Sequence, residues 1–221
     1  MASLSPQISS VLALDTASPF PAVSLLKDGV ASSERLSSDR RASEELLPAI
    51  ERLFAQTGVR LRDCDRIAVC SGPGSFTGLR IGLATAWGLS RGSGVEVEPV
   101  PTLEAMAEAA RDSAAERVAA ALDAGRGEIV LEFYALGGAR AEPLSPARRL
   151  SREEAREQCR DVALVTLPQD LLGFPALPIS GPLSEILARA VARAPRSAAM
   201  PLGSAAVYSR MSAAEEKHGA S

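Results

Sequence analysis

Val11-Leu12-Ala13-Leu14-Asp15-Thr16 is a short apolar run that ends on an acidic, hydroxylated turn. Val118-Ala119-Ala120-Ala121-Leu122-Asp123-Ala124 repeats it in the second half of the chain. A second apolar stretch follows each copy: Ala22 to Leu26, closed by Asp28-Gly29, and Ile129 to Leu136, closed by Gly137-Gly138. The shift from Ala13 to Ala121 equals the shift from Gly29 to Gly137. Each half therefore reads as strand, tight turn, strand, glycine turn and third strand, the mark of an internal duplication. The tight turn opens on an Asp both times.

The rest of the first half alternates helices with strands. Ser43 is an N-cap candidate ahead of Glu44 and Glu45, and Leu46, Leu47, Ile50, Leu53 and Phe54 keep helical spacing up to Gly58. Pro48 fits such a helix only near its first turn. Arg66 to Cys70 reads as a short buried strand, Ser71 to Gly78 as a loop, Thr77 to Arg91 as a helix stopped by Gly92, and Val95 to Val100 as a strand. Thr102 reads as the cap of a helix with Leu103, Met106 and Ala110 on one face. In the second half Ser151 and Glu154 form a capping box for a helix to about Arg160. Val162 to Leu167 reads as a strand, and Pro182 suits the first position of a helix to Ala194. A final helix is expected over Ser204 to Lys217. This alternation predicts mixed sheets with helical cover. It divides the chain near Pro99 to Thr102, into residues 1–100 and 101–221, with the last helix packing back on the first part.

The loop Ser71-Gly72-Pro73-Gly74-Ser75-Phe76-Thr77-Gly78 joins a strand to a helix, where backbone N–H groups and the helix dipole can hold an anion. It is neither a Walker A loop nor G-x-G-x-x-G. Two readings stand side by side: a phosphate loop using Asp15, Thr16, Gly72, Gly74, Ser75 and Thr77, or a tight turn that needs glycine conformations. In the following helix Gly78, Gly82 and Ala86 lie four apart on one face, with Leu79 and Leu83 beside them. Small residues at that spacing admit close approach of another element.

Composition narrows the chemistry. Of 221 residues one is His, His218, and three are Cys, at 64, 70 and 159, with no C-x-x-C pair. That argues against a His-based metal site, a Ser-His or Cys-His catalytic pair and a zinc ribbon. A net charge of −3 is no nucleic-acid footprint. Arg35, Arg40, Arg41, Arg60, Arg62 and Arg66 cluster in sequence, but Glu and Asp are interleaved with them. No apolar run reaches membrane-spanning length, Met1 to Ser10 is polar, and the cysteine count is odd. The expectation is a cytoplasmic protein with no membrane partner.

Val11 to Ala17, Leu46-Leu47-Pro48, Gly72 through Gly82 and Thr102-Leu103-Glu104-Ala105 stand in the order seen in the TsaB (YeaZ) family, and Leu122-Asp123-Ala124 with Gly127 to Val130 resembles that family's second hairpin. The resemblance implies a duplicated actin-like ATPase fold (ASKHA, ribonuclease H-like) made of two α/β subdomains. It implies an accessory subunit in the modification that places threonylcarbamoyladenosine beside the anticodon of certain tRNAs. The partners it implies are a TsaD-like transferase and a TsaE-like ATPase, with tRNA met only through the complex. The helices after the first hairpin and after the glycine loop would meet TsaD, which makes Leu46, Leu47, Ile50, Gly78, Leu79, Arg80, Gly82, Leu83 and Ala86 the expected interface. TsaD-like proteins carry His-x-x-x-His where this chain has Thr102 and Met106. The chain is thus expected to have no catalytic residue, metal or required cofactor of its own. ATP or ADP at the joint surface and a homodimer of the free chain stay open. The competing class is a weak ATP-binding protein or ATPase acting through Asp15, Thr16 and the glycine loop; a peptidase lacks its His.

Overall fold

A computed structural model describes residues 8–37 and 42–196. The expected helix over Ser204 to Lys217, His218, Arg40 and Arg41 lie outside the described residues. The first sheet contains β1 (Ser10–Asp15), β2 (Ala22–Lys27), β3 (Val30–Arg35), β4 (Arg66–Cys70) and β5 (Val97–Val100), in the order β3-β2-β1-β4-β5. β1 is antiparallel to β2 and parallel to β4. Every residue of β1 is buried, as a central strand covered on both faces requires.

The second sheet contains β6 (Arg117–Gly125), β7 (Glu128–Ala135), β8 (Glu142–Pro143), β9 (Arg148–Ser151) and β10 (Ala163–Leu167). β6 is antiparallel to β7 and parallel to β10, and β8 and β9 both pair with β7. β6, β7, β8 with β9, and β10 thus repeat β1, β2, β3 and β4 in order and direction; among the described residues nothing repeats β5. Asp15 pairs with Ala22 and Asp123 with Ile129, so both copies of the opening motif lie against an antiparallel second strand, the second pairing shifted by one residue from the repeat offset. This is the duplication that the repeat predicts, in the actin-like arrangement that the resemblance implies. The β2–β3 and β6–β7 connections are two-residue loops, Asp28-Gly29 and Arg126-Gly127, with φ of 49° and 83°, and 58° and 81°. Two positive values in succession match the strand twist, and glycine takes the second.

The helices are α1 (Ala42–Thr57), α2 (Phe76–Ser93), α3 (Thr102–Glu108), α4 (Arg152–Gln158) and α5 (Leu183–Arg193). α1 and α2 cover one face of the first sheet through Leu46, Ala49, Ile50, Leu53 and Ala86. α1 starts at Ala42, so Ser43 lies inside it rather than capping it, and Pro48 sits in the second turn on the exposed side. α2 is longer than the sequence suggests: Gly92 is inside it, and Gly94, at φ 79°, is the left-handed cap. The capping box of α4 forms as expected, whereas Pro182 caps α5 from outside. Thr102 is the first residue of α3, not its cap, and all seven residues of α3 are buried. The expected one-faced helix is enclosed all round.

That enclosure comes from an exchange. α3 follows the first sheet but packs on β6, β7 and β10; α5 follows the second sheet but packs on β1, β2, β3 and β4. The two helices also pack on each other, so one core runs from Val11 and Ala68 in the first sheet through Leu103, Met106 and Leu187 to Ala120 and Tyr134 in the second. A buried ion network closes the far end. Arg140, 4% exposed, donates to Glu98 at 2.7 Å, to Glu104 at 2.7 and 3.0 Å and to the Ala194 carbonyl at 3.2 Å. Burial would raise the Glu108 carboxyl, but Arg111, the Ala141 N–H and Arg193 outweigh it and hold it below the usual carboxylate range.

Removing one partner of a buried pair leaves a charge without compensation. Arg140→Met should cost about 3–5 kcal/mol in urea unfolding, because Glu98 and Glu104 stay buried.

Candidate functional site

The turn after β1 and the start of α2 are locked together. The Thr16 hydroxyl donates to the Gly78 carbonyl at 2.6 Å, and the Ser75 N–H donates to the Ala17 carbonyl at 2.8 Å. A Cβ on Gly78 would lie 1.8 Å from the Thr16 carbonyl oxygen, and one on Gly74 would lie 2.3 Å from that of Ala17. One on Gly82 would meet the Thr16 hydroxyl at 2.3 Å. These glycines are therefore explained by close backbone approach. The small-residue face read as a docking stripe is filled by the chain's own first turn.

Asp15 is fully buried. Its carboxylate accepts the Ala17 and Ser18 N–H groups, each at 3.0 Å, and the Ser18 hydroxyl. Burial pushes the carboxyl above its ordinary range, against these hydrogen bonds. Asp15 and Thr16 thus shape the turn from within, and neither side chain is left to hold a phosphate. Two N–H groups at the start of α2 are also in use: that of Ser75 on Ala17, and that of Gly78 on the Ser75 hydroxyl. The neighbouring Cys70 thiol is held well above its usual range by burial and by Asp15. Burial also raises Cys64, and raises Cys159 to about 11.

Beside this lock lies a cleft of about 800 Å³ between the two halves. Thr16, Ser18, Ser43, Gly74, Ser75, Thr77 and Ile81 line it from the first half, and Leu122 and Asp123 from the second. Asp15 and Gly72 do not reach it. Its polar groups are mostly hydroxyls, with Asp123 as the carboxylate; among the described residues no cationic side chain lines it. The Asp123 carboxylate is exposed and accepts the Gly125 N–H at 2.6 Å. Asp123 was not among the site residues expected from sequence, although the repeat sets it in register with Asp15. The cleft has the size of a small-molecule site, and among the described residues it presents no counter-charge for a polyphosphate.

The expected interface splits by burial. Leu46, Ile50, Gly78, Leu79, Gly82 and Ala86 are buried in the chain's own core rather than presented on its surface. Leu47, half exposed, and Arg80, whose guanidinium stacks 3.9 Å from the Phe76 ring centre, face outward; Leu83 is partly buried. Thr102 and Met106, at the positions of the His pair in TsaD-like proteins, are fully buried, Thr102 beside Cys70. No group of three or more metal-binding side chains occurs among the described residues. Of the arginine cluster, Arg60 pairs with Asp63 and Arg66 with Glu96. No helix of the described residues is long and apolar enough to cross a membrane.

Two measurements test the lock. Gly78→Ala should destabilise the fold by about 3 kcal/mol through overpacking, whereas Gly88→Ala, with open space around it, should gain about 0.5–1 kcal/mol; chemical unfolding reads both. The raised Asp15 carboxyl favours the folded state most in acid. That contribution is lost as pH rises from the unfolded value near 3.8 through the native one. Asp15→Asn keeps the acceptor without the charge, so its melting temperature relative to wild type should climb from pH 4 towards neutrality.

A family model for TsaD, the tRNA N6-adenosine threonylcarbamoyltransferase, matches residues 30–206. The tRNA threonylcarbamoyladenosine biosynthesis protein TsaB of Escherichia coli is 38% identical over 125 residues, covering 56% of this chain and 54% of that protein. The Haemophilus influenzae protein of the same name is 39% identical over 121 residues, covering 54% and 51%. The chain thus spans about half the length of these curated relatives. The solved structure of YeaZ from Pseudomonas aeruginosa superposes with a TM-score of 0.60 at 36% identity, covering 66% of this chain and 68% of that one. With the two sheets matching in strand order and direction and the first turn locked on the glycine helix, these similarities lead to one conclusion: the chain belongs to the TsaB (YeaZ) family.

Proposed function

We propose that the chain is a non-catalytic subunit in the biosynthesis of threonylcarbamoyladenosine in tRNA, and that it supports a TsaD-like transferase. The observation that carries this reading is the state of Thr102 and Met106. In a chain matched by the transferase's own family model, the positions of the His pair are filled by a hydroxyl and a thioether closed inside the core. The thioether is too soft for a hard metal ion, and the hydroxyl alone makes no pair of ligands there. Asp15 and Thr16 add support, since their side chains are used inside the first turn.

The docking surface in this reading is the outward side of α1 and α2, where Leu47, Arg80 and Ala84 are exposed. A TsaE-like ATPase joins the assembly, and tRNA meets the chain only within it. In the free protein the same surface could serve a homodimer. The chain requires no nucleotide of its own. ATP or ADP at the joint surface would meet Ser75, Thr77 and Asp123 from this side, with the partner supplying positive charge. The place of this work is the cytoplasm.

Mixed at micromolar concentration, the chain and its TsaD homologue should co-elute in size-exclusion chromatography; separate elution would sink the proposal. Leu47→Asp combined with Arg80→Glu should weaken association at least about tenfold, as loss of a central contact does, with the melting temperature unchanged.

A further inference from the structure

The cleft opens at one end of the second sheet and the ion network closes the other. Asp123 pairs with Ile129 beside the cleft, and Arg117 pairs with Ala135 at the opposite end, where the chain turns toward Arg140. At strand rise these ends are roughly 20 Å apart. The exchanged helices α3 and α5 lie between the sheets. Two lobes around a cleft commonly close by rotating about such a middle layer. Here that rotation would pull the far end open.

The contacts at the far end join groups that would have to part. On one side stand Glu98 of β5 and the end of α5, which packs on the first sheet. On the other stand Glu104 and Glu108 of α3 and the loop carrying Ala139 and Arg140, which belong with the second sheet. Arg140 spans to Glu98 and to the Ala194 carbonyl. Arg193 spans to Glu108 and to the Ala139 carbonyl, the latter at 2.8 Å. Arg196 donates its N–H to Glu98 at 3.0 Å and its guanidinium to Glu104 at 2.8 Å. Arg140, Glu98 and Glu104 are 4%, 2% and 3% exposed. Separating them without replacement leaves buried charges unpaired, which a small rotation cannot relieve with water.

We propose that Arg140, with Arg193 and Arg196, is a latch that holds the two halves at one fixed opening. The chain then works as a rigid surface rather than a closing clamp. The inference stands apart from the proposed function, since it concerns only motion within the chain.

Spin labels on Gln56→Cys in α1 and Glu153→Cys in α4, both exposed sites, report the separation of the halves in the full chain; Cys64, Cys70 and Cys159 are buried and stay unlabelled. The expected wild-type result in pulsed electron–electron resonance is one narrow distance. The combined variant Glu98→Gln, Glu104→Gln, Arg140→Met, Arg193→Gln, Arg196→Gln removes every charged span of the latch, leaves Glu108 paired with Arg111, and should show a second, shifted distance. Should that variant fail to fold, Arg193→Gln with Arg196→Gln removes two of the spans and leaves Arg140 in place; it should broaden the distribution. A broad or two-component distribution in wild type would overturn the latch. So would a folded latch variant as narrow as wild type.

Discussion

The structure depends on how closely the backbone after β1 approaches the first turns of α2. At Gly78 and Gly74 the gap is smaller than a methyl group allows, and the Thr16 hydroxyl fills the remaining space over Gly82. A glycine at such a point is set by steric contact as much as by its dihedral freedom. The contact fixes α2 on the sheet, which sets the outward faces of α1 and α2. It also consumes Thr16 and the Ser75 N–H, polar groups that a phosphate loop would need. One packing decision thus sets the outward surface and draws these polar groups inward.

Much of the fold was legible in sequence because its signals are local. The repeat predicted that Asp15 and Asp123 stand at equivalent points after a first strand, and the pattern of strands and capping residues located most elements. The site was less legible. Leu46, Ile50, Leu79 and Ala86 have the spacing of a docking face, yet spacing alone cannot tell which side of a helix meets its own sheet. The same pattern served the core, leaving Leu47 and Arg80 outside. The roles of Asp15 and Thr16 were hidden too, since only the folded turn shows that their partners lie two, three and sixty-two residues away.

The full burial of α3 was also out of reach of periodicity. A helix with a one-sided pattern becomes enclosed only when a second element covers its other face. That cover, α5, arrives more than seventy residues later in the chain. The ion network has the same origin: Glu98, Glu104, Arg140 and Arg196 are scattered in sequence, and each alone looks like a surface charge. Burial turns them into a set that must remain together.

The exchange of α3 and α5 has an evolutionary consequence. A half-length ancestor with this packing would leave its last helix without a sheet to cover, and its sheet without a helix. Two copies lending each other that helix would repair both at once, in the manner of a domain-swapped dimer. Gene fusion then turns an association governed by protein concentration into one governed by a tether. The two copies, no longer required to be identical, were free to diverge, as the longer β6 and β7, the two-residue β8 and the short α4 of the second half record.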